Sequence, residues 1–389
     1  MYEFGAEEIK AFARVVKSGQ HFRYRGGAGG ECDHFEAGLC HKLGAKHSIL
    51  MSGGTAALIC GLVGLDVGPG DEVIVPGYTF MASPLSVLAA GAIPVIAEVD
   101  ESLTLDPVDV ERKITPQTKA IMPVHMVGLP SNMDALKKIA RKHRVRIIED
   151  ACQAVGGSYK GKRLTTIGDV GAFSFNFFKI IGFGEGGATV TSNELIYQKA
   201  LIHHDGGAAF RGHKLLVEPF CGQSFRVSEF HGAVMRVQLR RLDRILSRLR
   251  ARKKAMVAAL KGSEAFALNP VNCQAGDCGV VTAIRFCCEA EMRQALDALK
   301  AARIGAWSPI DSGIHVYSRW KPILAQRGAS DPRRNPYNLT KKKHHYSADM
   351  CPRTLEILGA TIFLVTDYRQ GVAQYRAVGR KVRQILEKL

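Results

Sequence analysis

The chain has 389 residues, of which 46% are hydrophobic and 23% charged, a composition that excludes disordered and fibrous classes and a length that can bury a large core. No run of about 18 apolar residues appears, and the opening MYEFGAEEIK lacks the basic and apolar regions of a secretory leader, so a soluble, cytoplasmic protein without membrane partners is expected. The formal net charge of +17 is compatible with an anionic substrate, with nucleic acid or with a general basic bias; the spread of the basic residues argues for the last.

Residues 5–18 read as an amphipathic helix with Ile9, Phe12, Val15 and Val16 on one side, followed by a glycine-rich loop in which Arg23 and Arg25 flank Tyr24. A helix is expected over 32–43 and a strand over 47–51. The strand runs into SGGTAALICGLVGL, glycines and then an alanine- and leucine-rich helix. That arrangement aims backbone N–H groups and a helix dipole at an anion such as phosphate. Strands over 72–76, 94–99, 120–125 and 145–149 alternate with helices, including 106–114 and 132–143. Alternation of this kind predicts a largely parallel sheet, whose ligands collect at the carboxyl ends of strands, where Thr55, Phe80, His125 and Asp150 fall.

Strands over 171–176 and 188–192 bracket a turn containing Lys179 and Gly-Glu-Gly-Gly. One or two long helices occupy 226–260, and the basic run 236–254 lies within them as a charged helix face. Beyond residue 263 an alternating strand over 280–287, a helix over 291–302 and a last helix over 368–388 suggest a smaller α+β unit. The domains are therefore drawn at 1–250 and 251–389. The segment 327–349, with little apolar periodicity, is expected to form a long loop over the site. The ten cysteines show no C-x-x-C or Cys/His ligand spacing, so they read as reduced small hydrophobes and no metal site is expected.

Lys179 and Asp150 form the chemically informative pair. An amine behind an aromatic run would be desolvated, which disfavours the ammonium and leaves a nucleophile able to form a Schiff base. A carboxylate at a strand end could hold a pyridine nitrogen protonated, so lysine and aspartate together are what pyridoxal 5′-phosphate requires. Gly54, Thr55 and Ser174 are available for its phosphate.

The ordered motifs SGGTAAL, GDEVIVPGYTF, PVHMVG, IEDACQA, GDVGAFSF with Lys179, GEGG, FRVSE and QLRRLD resemble the DegT/DnrJ/EryC1/StrS family of pyridoxal-phosphate-dependent sugar aminotransferases over nearly the whole chain, more loosely over about the last hundred residues. The resemblance implies an α/β fold of the aspartate-aminotransferase type (fold type I), a large mostly parallel-sheet domain with a smaller α+β C-terminal domain, and a homodimer with sites at its interface. It assigns Lys179 as the Schiff-base lysine and proton carrier, Asp150 to the pyridine nitrogen, Gln153 to the ring hydroxyl, Phe80 to the ring face, and Gly54, Thr55 and Ser174 to the phosphate. It further implies transfer of an amino group from glutamate or glutamine to a keto sugar, high-carbon sugar acid or cyclitol.

Two departures stand out. Ser224 occupies the place where the family usually has an asparagine that reaches the partner subunit's phosphate, and Asp205 replaces a histidine that often faces substrate. The stretches FRYRGG, AEVDESLTL, EDACQAVGGSYKG and HVYSRWKPIL are similar to transaminases that make 8-amino-3,8-dideoxy-octulosonate. An acidic acceptor of that kind would suit Arg23, Arg25, Arg226 and Arg319 as contacts. A dehydratase of the same fold is the alternative enzyme, although such dehydratases typically carry histidine in place of the lysine. A non-catalytic, basic nucleic-acid-binding or regulatory protein is the alternative from another class; the sequence has no helix-turn-helix appendage or basic tail for it.

Overall fold

The computed structural model describes residues 3–24, 29–212 and 214–389. In the first helix, α1 (Ala6–Ser18), Ala11 and Val15 pack on Ala233 and Val237, whereas Ile9, Phe12 and Val16 are exposed. The buried face is Glu8, Ala11 and Val15, so of the expected stripe only Val15 is buried. Phe12 stacks instead on Phe230 with ring centroids 4.3 Å apart.

The chain continues through α2 (Glu31–Leu43), β1 (His47–Met51), α3 (Gly54–Gly64), β2 (Glu72–Pro76), α4 (Ala82–Ala89), β3 (Ile93–Ala97), α5 (Pro107–Lys113), β4 (Thr118–Ile121), α6 (Met133–His143) and β5 (Arg146–Asp150). A two-stranded hairpin, β6 (Ser158–Tyr159) and β7 (Lys162–Arg163), precedes β8 (Val170–Ser174), β9 (Gly187–Thr191) and α7 (Glu194–His204). The seven-stranded sheet has the order β1-β9-β8-β5-β4-β2-β3. Only β9 runs antiparallel to its neighbours.

Helices cover both faces of this sheet, which is why its strands read as continuous apolar runs. Successive residues of β5 feed opposite cores: Ile147 joins the cluster containing Phe35 and Leu39 of α2 and Leu136 of α6, while Ile148 joins Ala57 and Leu62 of α3. The first cluster also holds Leu239, Leu242 and Leu246 from one long helix, α8 (Glu229–Leu260). That helix passes unbroken through position 250, where the sequence suggested a domain limit. Its arginines are largely taken up inside the molecule: Arg236 pairs with Glu31, Arg241 with Glu8, and Arg244 and Arg248 with Glu3.

The second sheet is antiparallel, with the order β10-β11-β13-β12. Its strands are β10 (Ala267–Leu268), β11 (Val281–Arg285), β12 (Ala306–Trp307) and β13 (Thr361–Val365). Around it come α9 (Glu289–Ala301), the short α10 (Lys321–Leu324) and α11 (Pro336–Leu339), α12 (Pro352–Gly359) and α13 (Val372–Leu386). Met256 and Leu260 of α8 join Met292, Ile362 and Val382 in a separate core there.

The segment 327–349 does not lie over the carboxyl ends of the strands, as the sequence suggested. It packs at the start of β2 and along the edge strand β3. Lys342 and His344 reach Glu72 at 2.6 and 2.7 Å, and the Tyr346 hydroxyl donates to the Pro94 carbonyl at 2.7 Å. Tyr337 and Tyr346, in edge contact, supply the apolar anchor that sequence periodicity did not show.

Candidate active site

Asp150 ends β5, and its backbone is fixed by hydrogen bonds to Pro123 and His125. The side chain is buried and accepts two hydrogen bonds, from the Ser83 hydroxyl at 2.7 Å and the Cys152 N–H at 3.0 Å. Burial, with the Asp150 carboxylate beside it, pushes the Cys152 thiol well above its ordinary value, so it stays neutral.

Two glycine turns meet opposite Asp150. One is the β1–α3 turn at Gly53 and Gly54. The other is the 184–187 turn, where Gly184 and Gly186 have φ of +79° and +138°, a region that favours glycine. Gly53 and Gly186 form a bridge, and a Cβ at Gly54 would fall 2.8 Å from the Ser174 Cβ. The floor of the site is therefore a close-packed cradle of bare backbone. The free N–H groups of the 11-residue helix α3 open onto it.

A cavity of about 660 Å³ lies above this floor. Gly54, Thr55 and Ser174 line one end, and Asp150, Gln153, Phe80 and Lys179 line the rest. Gln153 accepts the Val127 N–H through Oε1 at 3.0 Å, which leaves its amide nitrogen for the cavity. Phe80 is 41% exposed and has His315 on one side, with ring centroids 5.5 Å apart. Lys179 is half-buried, in contrast to the desolvated amine expected from the aromatic run. The run divides: Phe173 and Phe175 alternate into the core, whereas Phe177 and Phe178, beyond the end of β8, are exposed.

Other candidates fall elsewhere. Arg23 is buried, donates to the Leu50 carbonyl at 2.7 Å and pairs with Glu36. Asp205 is fully buried and paired with both Arg211 and Arg226. Burial works to raise its pKa, but hydrogen bonds from Arg211, the Gly207 N–H and Arg226 outweigh that and hold it at about 2. Ser224 is exposed, bridged to Asp205 and outside the cavity of its own chain. Arg319 is exposed and outside it too, and Arg25 lies outside the described residues. His125 sits beneath the cavity, fully buried, with Nε2 3.2 Å from Glu149 and Nδ1 accepting from the Ser131 N–H.

Sequence reasoning missed the wall formed by Tyr78, Trp307, Ile314 and His315. Trp307 belongs to the second sheet, and the segment around His315 is tied to the Phe80 loop by hydrogen bonds from the Thr79 and Met81 N–H groups to the His315 and Ile314 carbonyls. Burial, helped by the nearby Lys179 charge, pulls His315 down to about 4, so its ring is neutral at neutral pH. Ser312 fixes that ring through Nδ1 at 2.6 Å.

Residues 3–321 match the model of the DegT/DnrJ/EryC1/StrS aminotransferase family. Over 244 residues the chain is 41% identical to the dTDP-3-amino-3,4,6-trideoxy-alpha-D-glucose transaminase of Streptomyces venezuelae, covering 62% of each chain. Over 278 residues it is 35% identical to the 3-amino-5-hydroxybenzoate synthase of Amycolatopsis mediterranei, covering 71% of this chain and 69% of that one. The matched stretch thus spans under two thirds of the Streptomyces relative, and 57% of the GDP-perosamine synthase of Caulobacter vibrioides, which is 40% identical over 55% of this chain.

Among solved structures, 3-amino-5-hydroxybenzoic acid synthase superposes with a TM-score of 0.83 at 28% identity, covering 100% of this chain and 98% of that one. DesV of S. venezuelae, in complex with a ketimine intermediate, gives 0.80 at 30% identity over 98% and 95%. The E. coli GDP-4-keto-6-deoxy-D-mannose-3-dehydratase gives 0.82 at 19% identity over 99% and 98%, a likeness of fold alone. The architecture is fold type I, and by the reach of the family model the chain belongs to the DegT/DnrJ/EryC1/StrS aminotransferase family.

Proposed function

We propose that this protein is a pyridoxal-phosphate-dependent aminotransferase that moves an amino group from glutamate or glutamine to the carbonyl of a sugar, high-carbon sugar acid or cyclitol. The observation that carries the reading is convergence: Lys179, Asp150 and Ser174 line one cavity with Gly54, nearly a hundred or more positions earlier in the chain. The residues fit the cofactor. Gly54, Thr55, Ser174 and the α3 N-terminus offer a phosphate seat, Gln153 presents an amide donor for the ring hydroxyl, Phe80 an aromatic face, and Asp150 a buried acceptor for the ring nitrogen.

Bound there, pyridoxal phosphate would supply an aldehyde carbon to carry the amine and an electron-withdrawing ring. The protein's part is to position and to move protons. Lys179, on the connection between β8 and β9 and in the cavity lining, is the amine that holds and returns a proton there. Asp150 is oriented by its two donors, and the aromatic side chains of Tyr78 and Trp307 line the cavity against water.

The described lining carries one amine, Lys179, and two carboxylates, Asp150 and Glu185. Arg23 and Arg226 are already paired internally. That distribution favours a neutral ring as acceptor over the octulosonate suggested by local similarity. Ser224, exposed beside the Asp205 cluster and outside its own chain's cavity, supports a homodimer in which it serves the other subunit's site. Cytoplasmic residence belongs to the same proposal and is supported by ten cysteines that are all unpaired.

The test is the visible spectrum of the purified protein with cofactor, before and after glutamate and then glutamine, without acceptor. Bleaching by one donor with release of its keto acid is expected. A protein that stays colourless with cofactor supplied would refute the reading.

A further inference from the structure

Behind Asp150 lies a hydroxyl pair that the proposed chemistry does not use directly. Ser83, in the first turn of α4, and Thr79, just before Phe80, are both buried, and their oxygens lie 2.7 Å apart. Ser83 Oγ is also 2.7 Å from Asp150 Oδ2. An ionised carboxylate only accepts hydrogen bonds, so the one proton of Ser83 points to Asp150, and toward Thr79 the Ser83 oxygen can only accept. Thr79 must then donate to Ser83. The 3.3 Å contacts of both hydroxyls with the Phe80 carbonyl become secondary.

We propose that Thr79 and Ser83 form a polarised relay, Thr79 to Ser83 to Asp150, that positions the Asp150 carboxylate for the cofactor's ring nitrogen. The inference rests on the cofactor reading above and adds positioning residues to it. With Ser83 on Oδ2 and the Cys152 N–H on Oδ1, the carboxylate is clamped at both oxygens while the residue lines the cavity. Bonds to an ionised acceptor are the stronger class of hydrogen bond, and a clamp at both oxygens fixes the rotation of the carboxylate plane. The relay is tied to the acceptor side of the site as well, since the Thr79 N–H donates to the His315 carbonyl at 3.0 Å.

The test compares two ligands: pyridoxal phosphate and its analogue with CH in place of the ring nitrogen. Both are titrated spectroscopically against the wild-type chain and against Ser83→Ala and Thr79→Val. Ser83→Ala is expected to weaken pyridoxal phosphate binding roughly tenfold or more, the loss of one charge-assisted bond. With the analogue, which gives Asp150 nothing to receive, the change should stay within about twofold. Thr79→Val should show a smaller loss with the same dependence on the ring nitrogen.

Equal weakening for both ligands, or none for either, would overturn the relay while leaving the cofactor reading intact. Failure of the wild-type chain to bind pyridoxal phosphate would defeat both. If Ser83→Ala does not fold, Ser83→Cys, of similar shape and a weak donor, carries the same comparison with a smaller expected loss.

Discussion

Gly54 and Ser174 are packed so closely that a Cβ on residue 54 would stand 2.8 Å from the Cβ of Ser174 and 2.9 Å from the sulfur of Cys152. The sheet places them there: β9 lies between β1, which leads into Gly54, and β8, which ends at Ser174. Gly54→Ala must displace Ser174 or the start of α3. We expect a stability loss of about 1–3 kcal/mol, the usual cost of overpacking, and, on the proposed phosphate role of Gly54 and Ser174, a weakening of cofactor binding by about tenfold or more. Denaturant melts of the apo protein and a cofactor titration separate the two effects.

The Asp205 cluster is expected to act on stability before it acts on substrate. Asp205 is fully buried and held by two arginines that remain about one quarter exposed. Asp205→Asn removes the charge that both guanidinium groups face and should cost about 3 kcal/mol, the low end for breaking a buried pair. Because Asp205 is held at about 2 when folded, this contribution is complete above the ordinary carboxylate range and fades as pH falls toward 2. Chemical denaturation of both proteins at neutral pH measures the difference.

His204 should make the fold acid-sensitive. It is fully buried, and neither ring nitrogen has a partner among the described residues. Burial, with the Arg23 charge adding to it, lowers it from 6.5 to about 3. The folded state therefore keeps it neutral while the unfolded chain takes up a proton, so stability is full above 6.5 and declines as pH falls toward 3. At about pH 5 the loss attributable to this residue is about 2 kcal/mol. His204→Phe keeps the ring and should flatten the stability profile between neutral and about pH 5, as urea melts across that range would show.

Glu72 anchors the segment 327–349, far from the cavity. Burial tends to raise it, but Lys342, Thr115 and His344 together hold it below its usual value. Glu72→Ala should release the segment and speed its cleavage by trypsin several-fold, while cofactor affinity changes by less than about twofold. Proteolysis followed by mass mapping, with a parallel cofactor titration, checks both halves.

The strands of the large sheet and the grouping of Gly54, Asp150 and Lys179 around one cavity were legible because local pattern and chemistry coincide there. Apolar runs bounded by glycine place β1 and β2, an apolar run after α6 places β5, and Gly54 and Asp150 stand at the ends of elements and Lys179 in the β8–β9 connection, where ordered motifs mark them. His315 and Trp307 were not legible. They reach the cavity from a short irregular segment and from a two-residue strand, and only tertiary pairing, of Tyr78 with Val316 and of Trp307 with Phe363, brings them in. The arginines misled for the opposite reason: a charged side chain in a loop looks free in sequence, but Arg23 and Arg226 each found a carboxylate inside the fold. The same holds for α8, whose basic run is met by the glutamates at positions 3, 7, 8 and 31.

The central claim is that Lys179 is the residue that takes the cofactor covalently. Purified protein loaded with pyridoxal phosphate, reduced with borohydride and digested, should carry one pyridoxyl group on the peptide containing Lys179, and Lys179→Ala should carry none while retaining weak, reversible binding. A label distributed over surface lysines, or unchanged labelling of Lys179→Ala, would contradict the account.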